Sequence, residues 1–317
     1  MSVTTTDYAQ YAGELYLFGN TNNPFLSALG AGGRMVSNFD FALSSASSLP
    51  AAEIQSITEL ESMASPTTFD SFTRDQDVNT CQIIQKYVRT SYKMLSSYNK
   101  LIGNASDHGS VDGINSIDDV HNYNVQLALQ TIYKNLNYAC WNGTYSRATS
   151  ASGVALTRGL NAAITTYSTS TSGTVAELGK SDIDNHLATV ADAGIDTSGY
   201  VIWVNSAAKI KLSNLYSLNL QTQPRDRQIG GVNVQTIVTD FGEFGIAYDS
   251  MVPTGKIFFI NMPYVSNVWC PVPAKGNLYY EEKADVAAGR TGMIYGQWGL
   301  DYGAEEVHSV IVTEDAS

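Results

Sequence analysis

The stretch SIDDVHNYNVQLALQTIYKNLNYACWN, residues 116–142, decides the fold class. Ser116-Ile-Asp-Asp119 reads as a capping box, and Asp118 and Asp119 place negative charge in the first turn, where the helix dipole favours it. Val125, Ala128, Leu129, Ile132, Tyr133, Leu136, Ala139 and Cys140 then recur at spacings of three and four, one apolar stripe along the helix. Asn142-Gly143 ends it. At about 1.5 Å per residue, a helix over 117–141 is about 40 Å long, enough to act as the spine of a domain. His121 falls on the polar side of the stripe.

Downstream, Ser181-Asp-Ile-Asp184 opens a second helix, with Ile183, Leu187, Val190 and Ala191 on one face and Gly194 as its stop. The apolar run Tyr200-Val-Ile-Trp-Val204, bounded by Gly199 and Asn205, predicts a strand, and Ser206 can cap a third helix carrying Ala207, Ile210 and Leu215. After a polar loop from Leu218 to Gly231, strands are predicted at Val232–Asp240, Phe244–Asp249, Lys256–Met262, Val265–Pro271, Leu278–Glu282 and Met293–Tyr302. Phe241-Gly-Glu-Phe-Gly245 is too short for a linker and reads as a turn between two of them, and the Thr- and Ser-rich run Thr165–Ser172 reads as a surface loop.

Upstream, Arg34–Leu43 and Asn79–Met94 are strand-like, while Ser44–Thr68 is rich in Ser, Ala and Thr. A structureless loop of that length is uncommon in a compact domain, so the segment is expected to be disordered or to find its partners on another molecule. Residues 1–33 form an apolar, aromatic arm without periodicity (Tyr8, Tyr11, Leu15, Tyr16, Leu17, Phe18, Phe25, Leu26, Leu29), and such an arm is seldom left in water.

The chain has 317 residues, 44% hydrophobic and 15% charged, and 30 acids against 18 bases give a net charge of −12. Electrostatic nucleic-acid binding is disfavoured, because neutralising phosphates takes clustered Lys and Arg. The acidity sits at the ends: residues 1–73 hold seven acids against Arg34 alone, and residues 277–317 hold eight against Lys283 and Arg290. Cys81, Cys140 and Cys270 show no metal-ligand spacing and read as small buried hydrophobes in a reducing compartment. The start MSVTTTDYAQYAGELY has no basic or apolar signal region, and no stretch approaches the ~18 apolar residues of a membrane span. A protein made and kept in a cytoplasm, or in something assembled there, is expected.

The sequence assembles no catalytic constellation. His108, His121, His186 and His308 share no ligand spacing and are expected to be solvated or core histidines. Nucleophile-elbow, zincin and phosphate-loop motifs are missing, and Gly30-Ala-Gly-Gly33 reads as a hinge. Acid pairs such as Asp182 with Asp184, or Glu305 with Glu306, arise by chance among 30 acids. No catalytic, cofactor-binding or metal-binding residue is expected. A chain of this size with long uncommitted arms reads as structural, built to contact copies of itself.

Six blocks in order carry a resemblance: Asn23-Pro-Phe-Leu-Ser-Ala-Leu29; Asn79-Thr-Cys-Gln-Ile-Ile84 with Ser91-Tyr92; Trp141-Asn-Gly-Thr-Tyr145 followed by Thr157-Arg-Gly159; Gly230-Gly-Val-Asn-Val234 followed by Thr239-Asp-Phe-Gly242; Pro271-Val-Pro-Ala-Lys-Gly276; and Ile294-Tyr-Gly-Gln-Trp-Gly-Leu-Asp-Tyr-Gly303. Together they resemble the major capsid proteins of tailed bacteriophages with the Hong Kong 97-type fold. The resemblance implies an α+β capsid fold with an N-terminal arm (1–33) and an extended loop (34–98) that lies over a neighbouring subunit. A peripheral domain (99–154 and 263–302, with spine helix 117–141) and an axial domain (155–262 and 303–317) complete it. It also implies a self-assembling icosahedral shell of hexamers and pentamers around packaged double-stranded DNA, which is held without sequence-specific binding. A separate scaffolding protein, a portal and decoration proteins are further candidate partners, and no membrane is involved. The protein would reside in the virion capsid after assembly in the host bacterial cytoplasm. Assembly contacts are expected from Tyr11, Leu15, Phe18 and Phe25 of the arm and from Leu49, Ile54, Ile57, Leu60 and Met63 of the loop.

Two further expectations concern processing. About 20 residues precede the first block, too few for a cleaved helical scaffold, so mature chains should be intact to residue 1 or 2. Phe41 to Val78 holds no lysine, so the Lys–Asn weld of some relatives should not form from the loop. Two other readings stand beside the capsid: an encapsulin-like nanocompartment, which a cargo-peptide groove would favour, and a surface-layer or adhesin-like protein, which would need export.

Overall fold

All five side chains of Tyr200–Val204 are buried, which a strand achieves only when its sheet is covered on both faces. The computed structural model describes residues 22–30, 32–43, 54, 56–64, 76–98, 120–217, 227–229, 232–284 and 287–315. Within it, this strand, β6, is the middle of a seven-stranded sheet ordered β5 (Ser168–Ser170), β14 (Ser309–Val312), β10 (Lys256–Asn261), β6, β9 (Gly242–Tyr248), β8 (Val232–Thr239), β7 (Arg227–Ile229). Successive side chains point to opposite faces, and the sequence is sorted accordingly. Val201, Trp203, Phe258, Ile260 and Val310 join the core beneath the spine helix α4 (Val120–Asn142). Tyr200, Ile202, Ile257, Phe259 and Ile311 join a second core with α6 (Lys180–Asp192) and α7 (Ser206–Ser217).

A five-stranded sheet is built on the long strand β13 (Gly289–Asp301). β12 (Leu278–Lys283) and β11 (Ser266–Trp269) pair with β13, β1 (Arg34–Met35) pairs in parallel with β11, and β4 (Gln82–Ser91) also pairs with β13, from Ser91↔Gly289 to Gln82↔Trp298. A two-stranded ribbon, β2 (Asp40–Ala42) with β3 (Val78–Thr80), stands apart. The remaining helices are α1 (Pro24–Leu29), α2 (Glu59–Met63), α3 (Tyr92–Tyr98) and α5 (Leu160–Ala163).

The spine helix joins the parts. Its Trp141 ring lies 5.9 Å from Trp203 and 5.2 Å from Phe258 of the seven-stranded sheet, while α4 also packs on β4 and β13. Its end is tight: Gly159 N–H donates to the Gly143 carbonyl at 2.9 Å, and a β-carbon on Gly159 would sit 2.6 Å from the Ala139 carbonyl oxygen. Only glycine permits that crossing.

Several expectations are corrected. His121 is fully buried rather than on a polar face, its Nε2 2.7 Å from the Tyr280 hydroxyl and its Nδ1 3.0 Å from Thr90 Oγ1. A polar residue beside an apolar stripe turns inward when partners await it. The third helix buries Ala208, Leu212 and Tyr216, leaving Ile210 64% exposed, and its cap is Asn205, whose Oδ1 accepts from the Ala208 N–H at 2.9 Å. The expected loop 165–172 contains β5, and the C-terminal tail supplies β14, both stabilised by the ladders they complete. Residues 79–94 are not one strand: the chain breaks at Cys81 and turns helical at Tyr92. The three cysteines are free and buried, and burial pushes the Cys81 thiol up to about 12.

Candidate assembly surface

The root of the extended loop is polar and tightly held. Asn79, fully buried on β3, uses its whole amide: Nδ2 donates to the Leu300 carbonyl at 2.8 Å and the Arg158 carbonyl at 3.2 Å, while Oδ1 accepts from the N–H groups of Arg158 at 2.8 Å and Thr80 at 2.9 Å. Phe41 and Leu43 anchor the outgoing side in the core, and Phe41 packs so closely on Gly299 that a β-carbon there would lie 2.8 Å from its ring.

Three arginine–aspartate pairs surround this root. Arg34 Nη1 meets Asp301 Oδ2 at 3.1 Å while its Nη2 donates to the Ala42 carbonyl at 2.6 Å. Arg147 Nε meets Asp40 Oδ2 at 2.7 Å. Arg158 Nη1 pairs with Asp77 Oδ2 and donates to the Tyr302 hydroxyl at 3.1 Å, and that hydroxyl donates to the same Asp77 oxygen at 3.1 Å. The Arg158 guanidinium also lies 4.9 Å from the Tyr145 ring centroid. Burial pushes the Tyr302 phenol up, with Asp77 adding to it, so it stays a proton donor. Burial works against the Arg158 charge, but Tyr302 and Asp77 outweigh it and hold the guanidinium above its usual value. Partly exposed pairs of this kind contribute about 0–1 kcal/mol each, so their effect is geometric more than energetic.

Beyond the root the loop carries apolar side chains in water. Each of the ten described residues between 54 and 64 is exposed, with Ile54 at 95%, Ile57 at 65%, Leu60 at 79% and Met63 at 74%. α2 is held by its own cap: Glu61 N–H donates to Thr58 Oγ1 at 3.3 Å, and Thr58 N–H donates to Glu61 Oε2 at 2.9 Å. These bonds from Thr58 hold the Glu61 carboxyl below the usual range. A five-residue helix has too few internal bonds to persist alone.

A second uncovered surface lies on the five-stranded sheet. Ile83, Gln85, Tyr87 and Arg89 alternate outward along β4; Tyr87 stands opposite Met293 and Gln85 opposite Tyr295, whose ring is 5.8 Å from Tyr279.

Of the expected contact residues, Ile54, Ile57, Leu60 and Met63 thus lie together and exposed, while Tyr11, Leu15, Phe18 and Leu49 fall outside the described residues. Phe25 is a correction. It is fully buried in its own subunit, 4.5 Å from Trp141 and 5.0 Å from Trp203, so it closes the core and is unavailable to a neighbour. β1, β2, β3 and β4, in and beside the stretches read as strand-like, have partners within the subunit. The ring of arginine–aspartate pairs was missed. Its signal was Arg34, the single base among seven acids in residues 1–73, which implied a fixed partner.

Among the described residues no group of His, Cys, Asp and Glu could hold a metal ion, and no helix is long and apolar enough to cross a membrane.

Compared with known proteins, residues 1–315 match the family model for the SU10 major capsid protein. The capsid asymmetric unit of cyanophage A-1(L) is similar in structure at TM-score 0.64 and 12% identity, covering 96% of this chain and 95% of that one. The capsid of the myovirus XM1 gives TM-score 0.56 at 9% identity over 98% and 99%. An encapsulin complex from Synechococcus elongatus gives TM-score 0.59 at 11% identity over 96% and 92%, a related fold. No curated protein matches in sequence. The fold is the Hong Kong 97 type.

Proposed function

The chain belongs to the SU10 major capsid protein family and forms the shell of a phage capsid, and from that premise we propose that its extended loop is the lateral contact that closes the shell. The reading is carried by one observation: Ile54 and Ile57 just before α2, and Leu60 and Met63 on it, all stand in water. Covering each fully stabilises an interface by roughly 1.5–3 kcal/mol, less the cost of ordering the loop. The outward face of β4, β12 and β13, with Ile83, Tyr87, Tyr279 and Tyr295, is the complementary surface on the neighbouring copy, and Arg89 on that face suits Glu59 and Glu61 of α2.

In this reading residues 1–33 are the arm and 34–98 the loop. Residues 99–154 and 263–302 form the peripheral domain, and residues 155–262 and 303–317 form the axial domain around the five- and six-fold axes. The seven-stranded sheet supports the axial assignment, since all its strands fall in the last two ranges. Hexamers and pentamers repeat one heterologous contact around each axis, so modest contacts sum to a closed icosahedral shell. Double-stranded DNA is enclosed without sequence-specific contact, and the net charge of −12 suits a wall that must not bind its contents. The protein has a structural role rather than a catalytic one, assembles in the host cytoplasm, and uses a portal and a scaffolding or decoration protein as partners. Tyr11, Leu15, Phe18 and Leu49 remain assigned to contacts between copies.

Electron microscopy of the purified protein, alone and co-expressed with its neighbouring phage genes, tests this. Closed icosahedral shells are expected. A product that stays monomeric at high concentration under both conditions overturns the reading.

A further inference from the structure

We propose that Arg158 is a positioning residue that, through Asp77 and Tyr302, fixes the direction in which the extended loop leaves the subunit and thereby sets the diameter of the shell. This rests on the reading of the loop as the lateral contact and goes one step beyond it.

The argument is one of leverage. The two sides of the loop are joined at its root by the Leu43 carbonyl accepting from Gln76 Nε2 at 3.2 Å and by Leu43 N–H donating to the Asp77 carbonyl at 2.9 Å. The chain between Leu43 and Asp77 is long enough to reach out at most about 50 Å and return, at about 3.3 Å per residue. A turn of about 10° at the root therefore moves a distant tip by about 9 Å, nearly the ~10 Å diameter of a helix. The far end of the loop must meet the same surface on every neighbour for a ring to close, so the root angle selects which curvature closes.

The arrangement at Asp77 suits that task. Asp77 lies on the returning side just before the buried Asn79, so its carboxylate is a fixed point where the loop joins the ribbon. One oxygen of it receives both the guanidinium of Arg158, just before α5, and the phenol of Tyr302, just after β13. The β2–β3 ladder and the Asn79 amide hold the register, and two donors converging on one carboxylate oxygen set the angle of the returning side beside them. The backbone of Arg158 is held separately, by Asn79, so the side chain can be replaced without releasing the chain.

The test uses full-length protein carrying R158M, R158K, D77N or the reversed pair R158D with D77R. Two readouts are taken: melting of the unassembled subunit and particle diameters by cryo-electron microscopy. R158M and D77N should melt within about 2 °C of the parent, as expected for a partly exposed pair, yet lose the parent's single size class. R158K and the reversed pair should recover it at least in part. The inference is overturned if R158M and D77N give the parent's diameters. It is also overturned if both lower the melting temperature by about 10 °C, which would make the cluster a structural support. If instead I57S, L60S and M63S together assemble into the parent's shells, the lateral-contact reading has failed, so the two failures are distinct.

Discussion

Trp141 Nε1 donates to Asp249 Oδ2 at 3.0 Å across 108 positions of chain, tying the last turn of the spine helix to the end of β9. Asn137 Nδ2 donates to the same oxygen at 2.8 Å, and the Met251 N–H donates to the other at 2.9 Å. Asn137 Oδ1 in turn accepts from the Leu26 N–H at 3.1 Å, which brings α1 into the joint. The buried carboxylate thus ties α4 to the turn after β9, and Asn137 passes the tie on to α1.

Replacing Asp249 by alanine strands the Asn137 amide and the Trp141 indole without an acceptor. Each unsatisfied buried group costs about 1–3 kcal/mol, so D249A should lower subunit stability by about 2–4 kcal/mol. Urea unfolding monitored by tryptophan fluorescence measures it, and a loss below about 1 kcal/mol would show that water replaces the carboxylate.

Phe25 closes the same joint from the arm side. F25A leaves a cavity against Trp141 and Trp203, with an expected loss of about 3–5 kcal/mol in the unassembled subunit. If Phe25 instead served a neighbour, the isolated subunit would melt as the parent does.

The exposed loop should behave in the opposite way. I57S, L60S and M63S together should leave the unassembled subunit within about 0.5 kcal/mol of the parent and abolish stable shells. Replacing residues 44–68 by a short Gly/Ser turn should do the same. Sedimentation and electron microscopy report the assembly, and unchanged shells from either variant would remove the loop from the contact.

Acid should weaken the seven-stranded sheet through two histidines. Burial pushes His186 and His308 down to about 4 from an ordinary 6.5. His308 Nδ1 accepts from the Asn261 N–H at 3.1 Å, so Nε2 carries the proton and donates to the Tyr302 carbonyl at 2.7 Å, while His186 reaches Thr169 and Ser309. The unfolded chain takes up protons near pH 6.5 that the folded one refuses until about 4. Stability is therefore fully present above pH 6.5, falls as pH drops towards 4 by up to about 1.4 kcal/mol per unit for each histidine, and levels below. Subunit unfolding measured from pH 7 to 5 should show this slope, and H186Q should remove its share of it.

Much of the architecture was legible in the chain itself. The strand at Tyr200–Val204 has the predicted bounds, and those at Lys256–Asn261 and Leu278–Lys283 end within one residue of theirs. Apolar runs and the turn residues that bound them act over a few positions, where backbone geometry alone fixes the period. The exposed cluster Ile54, Ile57, Leu60 and Met63 was legible for the same reason, as apolar residues in a segment that lacked the pattern of a core.

What the sequence could not decide were the partners of single polar and aromatic groups. Nothing local turns His121 inward, since its reasons are Thr90 and Tyr280, respectively 31 and 159 positions away. Phe25 reads as part of a greasy arm until Trp141 and Trp203 are brought around it. β14 is four residues long, too short to announce itself, and exists because β5 and β10 flank it. Arg158 and Asp77 are 81 positions apart, Arg34 and Asp301 267. The chain determined its elements through local periodicity, and only the tertiary structure decided which charges meet at the loop root, because those encounters depend on how every element between them packs.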